Sequence, residues 1–234
     1  MKTQETPRTY GEVIAINVDI QNDFALPTGA LAVDNGEAVI LPANTINTYV
    51  RNIGGLVAFT QDWHRPDNLK HFGFWGTHCV QNKAGAALHN DLIVLPRDTI
   101  AQKGTGLEDD GYSGWTAEVK AGTLTAFVEE LPEQERTLGR AIGNIAAYGA
   151  ERRQKTAVIL TGIATDYCVR ATGIDGLKST DRDFVDFIIA TDAVRAVNVL
   201  PGDGDKALRE MIAAGALTMT SEQIVAGGIV RMRG

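Results

Sequence analysis

Short apolar runs recur along the chain, each closed by a polar or glycine-containing break, and the stretches between several of them read as helices. The clearest runs are Glu12-Val-Ile-Ala-Ile-Asn-Val-Asp-Ile20, Leu56-Val-Ala-Phe-Thr60, Thr156-Ala-Val-Ile-Leu-Thr161 and Phe184-Val-Asp-Phe-Ile-Ile-Ala190. They are nearly continuous in apolar residues rather than alternating, which predicts strands buried on both faces. Three weaker runs, Leu92–Leu95, Thr99–Lys103 and Ala216–Thr220, read as shorter strands, the first two flanking a turn at Pro96-Arg-Asp98. Helices are predicted over 36–53, over 140–153, from Cys168 to Lys178 with Thr165 or Asp166 as N-cap, and from Asp203 to Ala214. Pro42 fits the first of these if the helix proper starts near Leu41, and Gly215 stops the last. Ser221 then caps a short final helix. Residues 116–155 carry the weakest pattern, with an exposed connection at 129–136. Strands alternating with helices predict one α/β domain over residues 1–234, a three-layer sandwich whose mainly parallel sheet is covered by helices on both faces.

Composition narrows the function. The 234 residues carry a net charge of −7 and no Lys/Arg run, which argues against a nucleic-acid surface. Two cysteines, Cys79 and Cys168, are too few for a disulfide framework. Met1 to Arg8 has no apolar signal core, and no stretch approaches the roughly 18 apolar residues of a membrane span. The expectation is a cytoplasmic protein with no membrane partner and with Cys168 as a free thiol.

The candidate chemistry collects at strand ends. Cys168 falls in the first helical turn after the run at 156–161, where free N–H groups and the helix dipole favour a thiolate and can receive an oxyanion. The plain alternative is a small buried hydrophobe. Asp19 closes the first strand, where ligands of open α/β sheets bind, unless it only caps the following turn. Lys103 ends another strand before Gly104-Thr-Gly106 and the acidic loop Glu108-Asp-Asp110, a place where a solvated lysine is also ordinary. Asp62 and His64, two apart on an extended segment, point to one side and suit a shared metal ion, and His71 and His78 follow closely. The alternative is a cluster of solvated histidines. Cys79 reads as packing.

Taken in order, Val18-Asp-Ile-Gln-Asn-Asp-Phe24, Phe59-Thr-Gln-Asp-Trp-His64, His78-Cys-Val-Gln81 with Gly85, Lys103-Gly104, Tyr112-Ser113 and Gly162-Ile-Ala-Thr-Asp-Tyr-Cys-Val-Arg-Ala-Thr172 resemble the isochorismatase-like cysteine hydrolases, and within them the nicotinamidases (pyrazinamidases). The resemblance implies a sheet of about six strands between helices. It implies a catalytic triad of Asp19, Lys103 and Cys168, an oxyanion held by the N–H groups of Ala164 and Cys168, and a cis peptide at Ile163–Ala164. Asp62, His64 and His78 match metal ligands, and His71 occupies a position that ligates in some members. The ion is divalent, zinc before iron or manganese. Phe24, Trp75 and Tyr112 match aromatic positions that shape the pocket. The implied reaction converts nicotinamide to nicotinate and ammonia through a cysteine thioester, with the metal orienting the pyridine ring. A related enzyme acting on an N-carbamoyl or maleamate-like amide, and a metal-binding scaffold without turnover, are the competing readings. A homo-oligomer binding only a small-molecule amide is implied as well. The chain departs from the family pattern at Trp75-Gly-Thr, where the family has Trp-Pro, at Asp110-Gly-Tyr-Ser-Gly, and over 124–143, which is longer than usual.

Overall fold

The structure, a computed structural model, describes residues 7–107 and 109–232. Glu108 of the acidic loop, and the start of the N-terminal stretch tested for a signal core, lie outside them. A short strand β1 (Arg8–Tyr10) precedes β2 (Glu12–Val18), α1 (Asn22–Ala25), α2 (Ile40–Asn52), β3 (Leu56–Asp62), α3 (Leu69–Trp75), β4 (Thr99–Lys103) and β5 (Glu118–Ala121). The chain continues through α4 (Leu138–Glu151), β6 (Thr156–Ile163), α5 (Arg170–Ser179), β7 (Val185–Arg195), α6 (Asp203–Ala213), β8 (Leu217–Met219), α7 (Ser221–Gln223) and β9 (Ile229–Arg231).

Seven strands form one sheet in the order β5-β4-β3-β2-β6-β7-β8, parallel except for β5, and β1 pairs with β9 separately. The parallel sheet follows from the apolar runs. All eight residues of β6 are buried, and neighbours along β2 alternate between two cores. Val13 and Ala15 face α2 through Ala43, Ile46 and Val50, while Ile14, Ile16 and Val18 belong to the core that α4, α5 and α6 close with Ile142, Leu177 and Met211. Each such large side chain contributes about 1.5–3 kcal/mol relative to exposure. No helix of the described residues is long and apolar enough to cross a membrane.

The seven-stranded, mainly parallel sheet agrees with the expected one of about six strands, and its antiparallel edge strand β5 reads Glu-Val-Lys-Ala and buries little. Two readings of the pattern need correction. Leu92–Leu95 is no strand. Its backbone is held by side chains instead: Asn44 Oδ1 accepts from Ile93 N (2.9 Å), Ile93 O from Arg51 (2.7 Å), and Asp98 Oδ2 from Leu95 N (2.7 Å). Finally, Cys168 does not lie in a regular first turn. Residues Thr165–Val169 form a wide turn in which Val169 N donates to Ala164 O (3.0 Å), and α5 starts after it. Neither Thr165 nor Asp166 caps that turn; Asp166 accepts from the N–H groups of Val197 and Asn198 (3.0 and 2.8 Å). The long region 124–143 packs Leu124, Val128, Leu138, Ala141 and Ile142 into the core.

Candidate active site

Because β2, β3, β4 and β6 are parallel, their carboxyl ends share one edge of the sheet. The chain runs from β2 outward to β5 and then returns to the other side of β2 as β6, so the crevice beside β2 and β6 is the topological switch point. Asp19 follows β2, Asp62 closes β3, Lys103 closes β4, and Cys168 sits in the wide turn after β6. All four are buried.

Lys103 is the hub. Its Nζ lies 2.7 Å from Asp19 Oδ2, pairs closely with Asp62 Oδ1, donates to Gly111 O (2.5 Å) and reaches Cys168 Sγ at 3.5 Å. Thr60 donates its hydroxyl to Asp19 Oδ1 (2.6 Å), and the Gln21 amide fixes the end of β3 by accepting from Asp62 N and donating to Asp62 O (both 2.8 Å). One ammonium thus serves two carboxylates, and they titrate apart. Burial pushes Asp62 up, but the Lys103 ammonium outweighs it and holds this carboxyl well below its usual range. Asp19, pushed up by burial and by the Asp62 charge against the pull of Lys103, rises from 3.8 to about 6. Burial pushes Lys103 down, and the two carboxylates more than restore it. Burial also pushes the Cys168 thiol well up; Lys103 pulls it down, and Asp19 and Asp62 add to the rise. These surroundings push Cys168 toward the thiol rather than the thiolate that a helix terminus suggests, with the Asp19 carboxyl beside it.

Three imidazoles gather on the other side of Asp62. His64 follows β3 and is held by backbone bonds to Cys79 and Gln81. His71 is in α3, where Asn68 accepts from its N–H (3.3 Å), and His78 follows Gly76 at a bend that puts Cys79 at a φ of 43°. Asp23 secures that bend by accepting from Cys79 N (2.7 Å). Each Nδ1 faces an oxygen that can only accept: Gly104 O for His64 (3.1 Å), the Asp110 carboxylate for His71 (3.0 Å) and Gly76 O for His78 (2.9 Å). Each Nδ1 must carry the proton, which leaves three Nε2 lone pairs directed inward, with the three nitrogens within 4.8 Å of one another. His64 Nε2 is buried without a hydrogen-bond partner among the described residues. His71 and His78 Nε2 lie 3.5 Å apart, lone pair against lone pair, which is unfavourable unless a shared cation or proton relieves it. Asp62 Oδ2, 3.7 Å from His64 Nε2, adds a carboxylate oxygen. The donor set suits a divalent zinc, iron or manganese ion.

A narrow cleft joins the two clusters. Asp62, His71 and His78 line one side and Ala164 and Cys168 the other, with the Ile163–Ala164 peptide cis. Phe24, Trp75 and Tyr112 form walls, and Trp75 Nε1 donates to the Tyr112 hydroxyl (2.7 Å). Phe24 packs at 5.4 Å, centroid to centroid, on His78.

The isochorismatase domain family matches residues 13–107. The nicotinamidase of Escherichia coli (strain K12) is 32% identical over 222 residues, covering 87% of this chain and 92% of the relative. The chain belongs to the isochorismatase-like hydrolase family. It is a hydrolase acting on amide C–N bonds, which removes the scaffold without turnover from consideration. Among solved structures, the pyrazinamidase of Pyrococcus horikoshii in complex with zinc is 30% identical with a TM-score of 0.67, covering 89% of this chain and 99% of that one. A protein from L. infantum in complex with nicotinate is 25% identical with a TM-score of 0.69, covering 97% and 100%.

In this isochorismatase-like hydrolase Phe24, Asp62, His71, Trp75, His78, Tyr112, Ala164 and Cys168 line the cleft, while Asp19 and Lys103 stand behind Cys168 and His64 beside the other imidazoles. His71 stands level with His64 and His78, whereas Asp62 divides its oxygens between Lys103 and the imidazoles. None of residues 124–143 lines the cleft. Sequence reasoning missed Tyr167, which meets the Trp75 ring edge-on at 4.8 Å, and Leu31, Val33, Ile163 and Val197, which complete the apolar lining. Tyr167 was findable as the neighbour of Cys168; Thr60 and Asp110 carried no signal beyond being polar.

Proposed function

We propose that this hydrolase converts nicotinamide to nicotinate and ammonia through a thioester on Cys168. Asp19 takes the Cys168 proton as sulfur attacks the carboxamide carbon, and the carbonyl electrons move to an oxyanion received by the N–H groups of Ala164 and Cys168. Asp19 returns the proton to nitrogen, the C–N bond breaks and ammonia leaves. A water molecule then gives a proton to Asp19 and attacks the thioester, the C–S bond breaks, and the sulfur recovers its proton from Asp19. Lys103 steadies the charges on sulfur and on Asp19 throughout. His64, His71, His78 and Asp62 would hold a divalent metal ion, which when bound would supply a Lewis acid for the ring nitrogen. Phe24, Trp75, Tyr112 and Tyr167 bound a flat, largely apolar space that excludes water from the ring.

The observation that carries the choice of substrate is the lining itself. It contains no lysine or arginine, and its charged members are Asp62 and Asp110. Maleamate and N-carbamoyl amino acids bring a carboxylate for which the lining offers no lysine or arginine partner, whereas a neutral pyridine carboxamide needs none. The zinc and nicotinate complexes of the two structural relatives agree with this reading. A reduced thiol in a reducing, cytoplasmic compartment suits a nucleophile that must not be oxidised. Ammonia release from nicotinamide, pyrazinamide, maleamate and N-carbamoyl glycine tests it, with Cys168→Ala alongside. The first two compounds should be cleaved and the last two not, and the variant should be folded and inactive. Faster release from either carboxylate-bearing compound would refute the assignment.

A further inference from the structure

We infer that Asp110 is a positioning residue of the metal site, acting through His71; this rests on the metal reading above. Of the three imidazoles, His64 and His78 have their Nδ1 protons fixed by main-chain carbonyls, Gly104 O and Gly76 O, which no side-chain substitution removes. His71 alone depends on a side chain from another segment, the Asp110 carboxylate at 3.0 Å, 39 residues away. Stacking on His64 at 4.2 Å, centroid to centroid, and an edge contact with Phe72 hold the plane of the ring, but neither fixes which nitrogen carries its proton.

Asp110 is itself held in place by the catalytic machinery. Gly111 O accepts from the Lys103 ammonium, and Gly111 N donates to Asp109 Oδ1 (2.8 Å). Gly111 has a φ of 63° and packs so tightly on the backbone just after Lys103 that a Cβ there would lie 2.4 Å from Gly104 N. The bend that delivers the carboxylate to His71 is therefore fixed by the same lysine that serves Asp19 and Cys168. Asp110 keeps the His71 proton on Nδ1, keeps the Nε2 lone pair directed at the site, and supplies a second negative charge that with Asp62 balances a dication. Carboxylate partners of ligating histidines typically change metal affinity by about 10–100-fold.

The test titrates zinc alone into stripped wild-type protein, Asp110→Ala, Asp110→Asn, His71→Ala and the Asp110→Ala/His71→Ala double variant, against a chromophoric chelator. Asp110→Ala should bind zinc about 10–100-fold more weakly. Asp110→Asn, which keeps an oxygen that can accept from Nδ1, should fall between it and wild type. In the His71→Ala background the removal of Asp110 should cost little more, because its route of action is already gone. Equal affinity of wild type and Asp110→Ala would overturn the inference alone, as would an undiminished loss in the His71→Ala background, which would mark a diffuse charge effect. A wild-type protein that binds no zinc would overturn the metal reading together with this one.

Discussion

In the proposed reaction Asp19 has to be ionised to accept the Cys168 proton, yet its burial beside Asp62 holds its carboxyl near 6. The sign is that of a base: as pH falls through about 6 the carboxylate is protonated and can no longer take the thiol proton. We therefore expect kcat/KM for nicotinamide to be flat above this value and to fall roughly tenfold per pH unit below it. A pH–rate profile checks this, and a plateau persisting to pH 4.5 would remove Asp19 as the base. At this scale the sequence was readable where chemistry sits at strand ends. Asp19 and Lys103 stood out as charges at the close of apolar runs, and Cys168 as a thiol just after one. What stayed hidden were partners distant in sequence, such as Thr60, 41 residues from the Asp19 it supports. The state of the thiol was hidden too. Sequence placed Cys168 near a helix terminus, but the effect of burial on the thiol exceeds the pull of Lys103 and pushes it toward the protonated form.

Elements were legible in proportion to how fully they are buried. The β2 and β6 runs are continuous in apolar residues because both faces are covered, and a helix cannot be hidden in so short a run between turns. Leu92–Leu95 has the same composition, yet only Leu92 is buried, and Ile93, Val94 and Leu95 stay exposed while Asn44, Arg51 and Asp98 take the backbone groups, a long-range arrangement no local pattern encodes. The loop between α3 and β4 depends likewise on one remote carboxylate. Asp23 accepts from Cys79 N and Ala30 N, and a Cβ on Gly85 would lie 2.0 Å from its Oδ2. Because both carboxylate oxygens are engaged, the side chain cannot swing aside without releasing the bend that presents His78. Gly85→Ala should therefore cost about 1–3 kcal/mol in urea denaturation. In an Asp23→Ala background the same change should cost markedly less. An unchanged midpoint in Gly85→Ala would mean that the loop accommodates the methyl elsewhere.

At the scale of the molecule, the parallel sheet brings two chemistries to one crevice and lets them share Asp62. One oxygen of Asp62 serves the lysine that serves the thiol, and the other faces His64. The two clusters are nevertheless anchored differently. Asp19, Lys103 and Cys168 are set by β2, β4 and the turn after β6, all tied into the sheet, whereas His71 and His78 hang on the loop between β3 and β4. Removing the metal should consequently spoil substrate placement and leave the nucleophile standing. Chelation is expected to lower nicotinamide hydrolysis by about a hundredfold or more, the scale of losing a group that orients the reacting carbon. Cys168 in the same preparation should still be alkylated by iodoacetamide at nearly the untreated rate, since Lys103 and Asp19 remain beside it. Full activity after complete metal removal would mean that the ring is oriented by the aromatic walls alone. Loss of alkylation together with activity would mean instead that the ion holds the crevice itself together, with Asp62 transmitting its removal to Lys103.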